Sequence, residues 1–228
     1  MTDVVRVWLA PLDLPAPAAA RCADALDDGD RARASALADP DDRRRFTVAH
    51  GLLRILAAQE LGAPPGGLRW ATGPHGKPEL VPPWSGLHTS LSHSGGMVAA
   101  AVSASRPAGV DIQELLPGLD PVRLSARFFP AEEARYVAAG RDGAQADRFA
   151  HLWARKEAVV KASGGRLWAN LAMPVRAREV VRPVQPPGPH RVADVAAPPG
   201  FRAAVALTGA APFVLDAGAW PGPASGRD

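Results

Sequence analysis

The chain has 228 residues, 47% of them hydrophobic and 21% charged, with 26 Lys and Arg against 23 Asp and Glu. That length supports one large domain or two of about 100 residues, and the balance excludes both a disordered polyelectrolyte and a collagen-like fibre. The sequence pI is near 9.6, yet the one tight basic run, Arg43-Arg44-Arg45, follows Asp39, Asp41 and Asp42. A duplex-binding module carries a denser basic stripe, so a small polyanion is the better partner. One cysteine, Cys22, excludes a disulfide framework and suits a reducing cytoplasm. No apolar h-region opens the chain and no run of 18 apolar residues crosses it, so neither a signal peptide nor a membrane span is expected.

In chain order, Val4–Leu9 reads as a strand. Phe46, Ala49, Leu52, Leu53, Leu56 and Ala57 recur at three- and four-residue spacing and predict a helix within Asp39–Gly62. Leu68–Thr72 reads as a short strand, Gly73–Lys77 as a turn-rich loop, and Leu87–Leu91, Met97–Ser103 and Gly109–Gln113 as strands. A helix starts near Phe129–Glu133, with Pro and acids in its first turn, and ends at Gly140. Asp147 is a candidate cap for a helix over Arg148–Ala162, stopped by Gly164-Gly165. Val181–Gly200 is Pro-rich and reads as a loop, Phe201–Leu207 and Phe213–Asp216 as late strands, and Pro221–Asp228 as a loose tail. Arg45-Phe46 and Arg148-Phe149 each open an amphipathic helix that ends at glycine. Two similar α+β halves, 1–108 and 109–228, would explain this echo, as would the chain's compositional bias.

Three segments carry groups suited to chemistry. Helical spacing puts Trp153, Glu157 and Lys161 on nearly one face, which suits either a cleft wall or an ordinary surface ion pair. In Gly109-Val110-Asp111-Ile112-Gln113, Asp111 and Gln113 share a strand face opposite Val110 and Ile112. An aspartate between two β-branched residues needs a partner, either a metal or the start of a turn. Gly76-Lys77-Pro78 and Leu91-Ser92-His93-Ser94-Gly95-Gly96 offer hydroxyls, turn N–H groups and two cationic side chains. These can hold phosphate or simply serve the turns.

Taken together and in this order, GKP, SLSHSGG, GVDIQ and WARKEAVVKASGG resemble the 4′-phosphopantetheinyl transferase superfamily, and within it the longer surfactin-synthetase-activating branch. The resemblance spans Arg43 to Gly165. It implies a pseudo-twofold monomer of α+β class with two similar halves, each a small, mainly antiparallel sheet packed on a long helix. The first half supplies phosphate contacts to coenzyme A and the second supplies the metal site and catalytic helix. The implied reaction moves 4′-phosphopantetheine from coenzyme A to a serine of an apo acyl- or peptidyl-carrier protein, releasing 3′,5′-ADP with Mg²⁺ as cofactor, in the cytoplasm, the carrier serving fatty-acid, polyketide or nonribosomal-peptide synthesis.

By the same resemblance Asp111 and Glu157 are metal ligands. Gln113 is a third candidate at a position where that branch often has Glu. Glu157, Lys161 and Asp111 are the catalytic set, with Glu157 taking the serine proton. Lys77, Ser92, His93 and Lys161, with Arg45, His50 and Arg54 (and Arg44), are expected on the phosphates. The segment Pro117–Gly143, with Phe128, Phe129, Arg123 and Arg127, is the expected grip on the carrier. Other readings of the same residues are a Mg²⁺-dependent nucleotide or coenzyme A hydrolase, a basic nucleic-acid-binding protein, and a relic that binds coenzyme A without transferring it.

Overall fold

A computed structural model describes residues 2–73, 77–116, 118–141 and 143–220. Most of the Gly73–Lys77 loop, including Gly76 of GKP, lies outside the described residues, as do Pro117, Asp142 and the Pro221–Asp228 tail.

The chain runs β1 (Asp3–Pro11), α1 (Ala16–Ala25), α2 (Asp28–Ala36), α3 (Pro40–Leu61), β2 (Trp70–Thr72), β3 (Pro78–Leu80), β4 (His88–Ser94), β5 (Met97–Ser103) and β6 (Ala108–Glu114). It continues through α4 (Pro121–Phe128), α5 (Ala131–Ala138), α6 (Ala144–Ser163), α7 (Leu167–Asn170), β7 (Val180–Val181), β8 (His190–Val195), β9 (Phe201–Thr208) and β10 (Phe213–Ala219). The α+β class expected from the sequence is what the chain forms.

The two long helices carry clear punctuation. Asp39 caps α3, its carboxylate accepting from the N–H groups of Asp41 (2.7 Å) and Asp42 (3.4 Å), with Pro40 in the first turn. Gly62 ends α3 at φ 61°, and Gly164 ends α6 at φ 69°. Both are left-handed conformations that favour glycine. Asp147 does not cap α6. Gly143 does, and Asp147 sits in the first turn, ion-paired with Arg202.

Two four-stranded sheets stack between these helices. The first has order β10-β1-β5-β4 and the second β6-β9-β8-β7. Val98, Ala100 and Val102 of β5 pack toward α3, while Met97, Ala99 and Ala101 face the second sheet. Strand β5 therefore reads as an unbroken apolar run because both of its faces are covered. The layers follow as α3, first sheet, second sheet, α6. Strand β10 pairs in parallel with β1, so the end of the chain returns to the first sheet although its sequence neighbours build the second. Val181–Gly200 is not wholly a loop. It holds β8, whose His190, Val192 and Val195 are buried and whose prolines lie outside the strand.

Where the two sheets meet at their edges, β4 and β6 run side by side. No backbone ladder joins these strands. Serines at every second position of β4 bridge them instead. The Val110 N–H donates to Ser90 Oγ (2.9 Å), the Glu114 N–H to Ser94 Oγ (3.1 Å), and Ser92 Oγ donates to Asp111 Oδ1 (2.6 Å). Period two puts all three hydroxyls on one side of the strand.

Candidate functional site

Strand β6 presents Val110 and Ile112 to the core between the sheets, so Gly109 and Asp111 face α6. The glycine is required there: a Cβ at Gly109 would collide with the backbone of Ala158 and Ala162 on α6. This close approach brings the last turns of α6 over Asp111. The Lys161 ammonium donates to Asp111 Oδ1 (2.6 Å) and to Ser92 Oγ (2.8 Å). Asp111 Oδ1 thus receives two donors. Its other oxygen, Oδ2, is buried with no hydrogen-bond partner.

Glu157 lies one turn before Lys161 on α6 and lines a 460 Å³ pocket with Lys77, Ser90, Lys161, Arg166 and Trp168. Its pKa is pushed up to about 7, chiefly by burial and then by the Asp111 charge, against which Lys161 acts. Burial likewise raises Asp111, opposed by Lys161 and Ser92. Two carboxylates thus feel each other's charge where both ionise reluctantly, with one ammonium bonded to Asp111. A buried carboxylate oxygen without a donor costs about 1–3 kcal/mol, and a hard divalent cation would relieve it. Mg²⁺ usually takes one or two carboxylates and completes its shell with water and phosphate oxygens. Asp111 and Glu157 fit that set. Among the described residues no cluster of three or more His, Cys, Asp or Glu forms a metal cage. Gln113 donates its amide N–H to the Glu114 carbonyl (3.0 Å).

A larger pocket of about 660 Å³ adjoins this corner, lined by Arg45, His50, His93, Gly95, Glu114 and Asp42, among others. Arg45 and His93 therefore reach the space expected for a polyanion, with Arg45 also pairing with Asp42 (2.9 Å). His93 is drawn below its ordinary value by desolvation in the cleft and then by Lys161 and Arg45. His50 stacks on Phe46 with ring centroids 3.9 Å apart, and burial lowers its pKa against the pull of Asp30.

Arg54 lines neither of these two pockets. It is 2% exposed, donates to Asp30 (2.5 Å) and the Leu68 carbonyl (3.0 Å), and pairs with Asp27, bracing α2 against α3. Arg44 pairs at the surface with Asp13 and Asp41. The Ser92 hydroxyl donates to Asp111 Oδ1 and accepts from the Lys161 ammonium. Lys77 donates to the carbonyls of Ala108 and Lys161, both at 2.9 Å. Trp153 packs with Phe149 and Phe129 against the apolar cluster around α6, at 5.5 and 6.4 Å. Phe128 and Phe129 divide: Phe129 is buried, whereas Phe128 meets the exposed Trp168 edge-on at 5.6 Å.

Sequence reasoning missed the serine seam, Glu114 in the larger pocket, and Trp168 at the mouth of the smaller one. Ser90, Ser92 and Ser94 at period two were the available signal. It also missed the partner of Lys156. That ammonium is fully buried and donates to Glu133 Oε2 (2.7 Å), while Glu133 Oε1 accepts the N–H groups of Val175 and Arg176.

Fold and site together define an α+β enzyme with an acidic, lysine-flanked site at the seam between its two larger sheets. Residues 107–187 match the family model for the 4′-phosphopantetheinyl transferase superfamily. The chain is 35% identical to the 4′-phosphopantetheinyl transferase HetI of a Nostoc species over 166 residues, covering 72% of this chain and 70% of HetI. It is 33% identical to a putative 4′-phosphopantetheinyl transferase of a Synechocystis species, covering 70% and 64% of the two chains. It is 31% identical to the transferase Sfp of Bacillus subtilis over 54% of each. The chain belongs to the 4′-phosphopantetheinyl transferase superfamily, and it is a transferase. Among the described residues, no helix is long and apolar enough to cross a membrane.

Proposed function

We propose that this cleft binds coenzyme A and transfers its 4′-phosphopantetheine group to a serine of an apo acyl- or peptidyl-carrier protein, releasing 3′,5′-ADP with Mg²⁺ present. The observation that carries the reading is the convergence of Asp111, Glu157 and Lys161 beside a pocket lined by Arg45 and His93. The names of the relatives support the same transferred group.

The serine oxygen attacks the phosphorus bearing the pantetheine arm, and the bond to the 3′,5′-ADP oxygen breaks. Glu157 takes the serine proton. A pKa of about 7 makes it largely unprotonated just above neutrality yet basic enough to help, an effect worth about 10²–10⁴-fold. Lys161, oriented by Asp111 and Ser92, faces the charge that grows on the leaving phosphate. Arg45 and His93 hold the adenylate end, and Gln113 is a candidate neighbour for the ion beside the two acids. Asp111 Oδ2 and Glu157 would hold Mg²⁺, which supplies charge neutralisation at the pyrophosphate. The wall formed by α4 and α5, with Arg123 and Arg127, is the surface offered to an acidic carrier. The chain acts as a monomer in the cytoplasm.

Incubation with coenzyme A, Mg²⁺ and an apo-carrier domain, read by intact mass, is expected to add one phosphopantetheine to the carrier. Coenzyme A cleavage with no gain on any carrier would replace transfer by hydrolysis.

A further inference from the structure

Lys77, just before β3, bonds to two elements later in the chain, β6 and α6. One N–H meets the carbonyl of Ala108, where β6 begins, and another the carbonyl of Lys161 in the last turn of α6, both at 2.9 Å. Two of its three donors are thus occupied by backbone. The carbonyls at a helix C-terminus attract a cation, and burial holds the ammonium below its ordinary pKa, opposed by Glu79.

The base of the side chain is held as firmly as its tip. The Gly73 N–H donates to the Lys77 carbonyl (2.8 Å), and the Thr89 hydroxyl of β4 donates to the Pro78 carbonyl (2.8 Å). Lys77 therefore spans from β4 to the junction of β6 and α6. The larger pocket, where Arg45 and His93 point, is not one Lys77 lines; it borders the 460 Å³ pocket and a 400 Å³ cleft on its far side.

We propose that Lys77 is a positioning residue for the transfer reaction, setting the spacing between β6 and the end of α6 so that Lys161 and Asp111 stay in register, and that it is not an anchor for a phosphate. The link is short. The carbonyl that Lys77 holds belongs to Lys161 itself, and Ala108 lies three residues before Asp111 on the same strand. The inference rests on the proposed transfer only for its kinetic readout.

The test is a double-mutant cycle of Lys77→Met and Lys161→Met, reading kcat for carrier loading and, separately, the dissociation constant of coenzyme A by calorimetry. Lys77→Met alone is expected to lower kcat about 10–100-fold while coenzyme A affinity changes less than about threefold. In the Lys161→Met background the same substitution is expected to cost less than about threefold in kcat, because the group it positions is gone. Lys77→Arg, which keeps the donors, is expected to recover most of kcat. It replaces Lys77→Met in the cycle, against Lys77→Gln, should the methionine variant not fold. A loss of coenzyme A affinity of tenfold or more with kcat intact would make Lys77 a phosphate anchor. Fully multiplicative losses in the cycle would make its role independent of Lys161. Either result overturns the proposal. A wild-type enzyme that binds coenzyme A yet loads no carrier would sink the transfer reading instead, and the calorimetric arm would still report on Lys77.

Discussion

Lys156 and Glu157 are adjacent on α6 and sit in opposite electrostatic situations. Lys156 is buried against Glu133, and both oxygens of that glutamate are satisfied: one by the ammonium, the other by two backbone N–H groups. Glu157 faces a pocket, shares its surroundings with a second acid, and is pushed up to about 7. Asp111 beside it leaves a buried oxygen without a donor. The first cluster is closed and braces α5 and the Met173–Arg176 segment against α6. The second is open and holds more negative charge than its one lysine balances. A helix can thus place a structural ion pair and a reactive one on neighbouring residues, because a step of 100° turns them to different faces. What separates the two is whether every polar atom has found a partner.

Substitutions on the two sides of this comparison should fail in different ways. Glu157→Ala is expected to lower carrier loading by about 10²–10⁴-fold while the circular-dichroism spectrum and melting cooperativity stay native. A variant that kept activity within a few-fold would move the general base elsewhere. Lys156→Ala is expected to destabilise the fold by about 3–5 kcal/mol, read by urea denaturation, because it strands a buried carboxylate. A loss under about 1 kcal/mol would mean that water reaches Glu133.

The smallest expected effect has the opposite sign. Glu157 binds its proton more tightly folded than unfolded, so its contribution to stability is full below pH 4.5 and is lost as the pH rises toward 7. Glu157→Gln, which stays neutral, is therefore expected to be more stable than wild type by about 1–3 kcal/mol at pH 8 without added metal. The two should converge near pH 4.5. His50, His88, His93 and His190 are all depressed by burial and tilt stability the other way over much of this range. The difference between the two proteins cancels them. An equal pH profile for both would place Glu157 in an ordinary solvated environment.

Much of this architecture could be read from residue order. Asp39, Pro40 and Gly62 mark the ends of α3, and period two in GVDIQ turns Asp111 away from Val110 and Ile112. Other parts could not be read locally. Helix α1 has no acidic or side-chain cap, and α2 is Asp- and Arg-rich, so neither shows a strong apolar period; α1 is held by contact with α3, where Gly51 admits the Cys22 backbone. Strand β8 is hidden among prolines and exists because β9 offers an edge. In the site, charge type was legible but availability was not. Arg54 and Arg45 are the same residue type on one helix. Only the fold shows that Asp27 and Asp30 come to rest against Arg54, whereas Arg45 stays at a pocket.

The most direct test of the open cluster is the affinity for Mg²⁺, titrated calorimetrically into the coenzyme A complex of wild type and Glu157→Gln between pH 6 and 8. Wild type is expected to bind more tightly as pH rises, by up to about tenfold per unit below pH 7 and little more above it, since a ligand proton must leave. Glu157→Gln is expected to bind more weakly and to lose most of that slope. Equal affinity in the two proteins at every pH would contradict the pairing of Asp111 with Glu157 around a single ion.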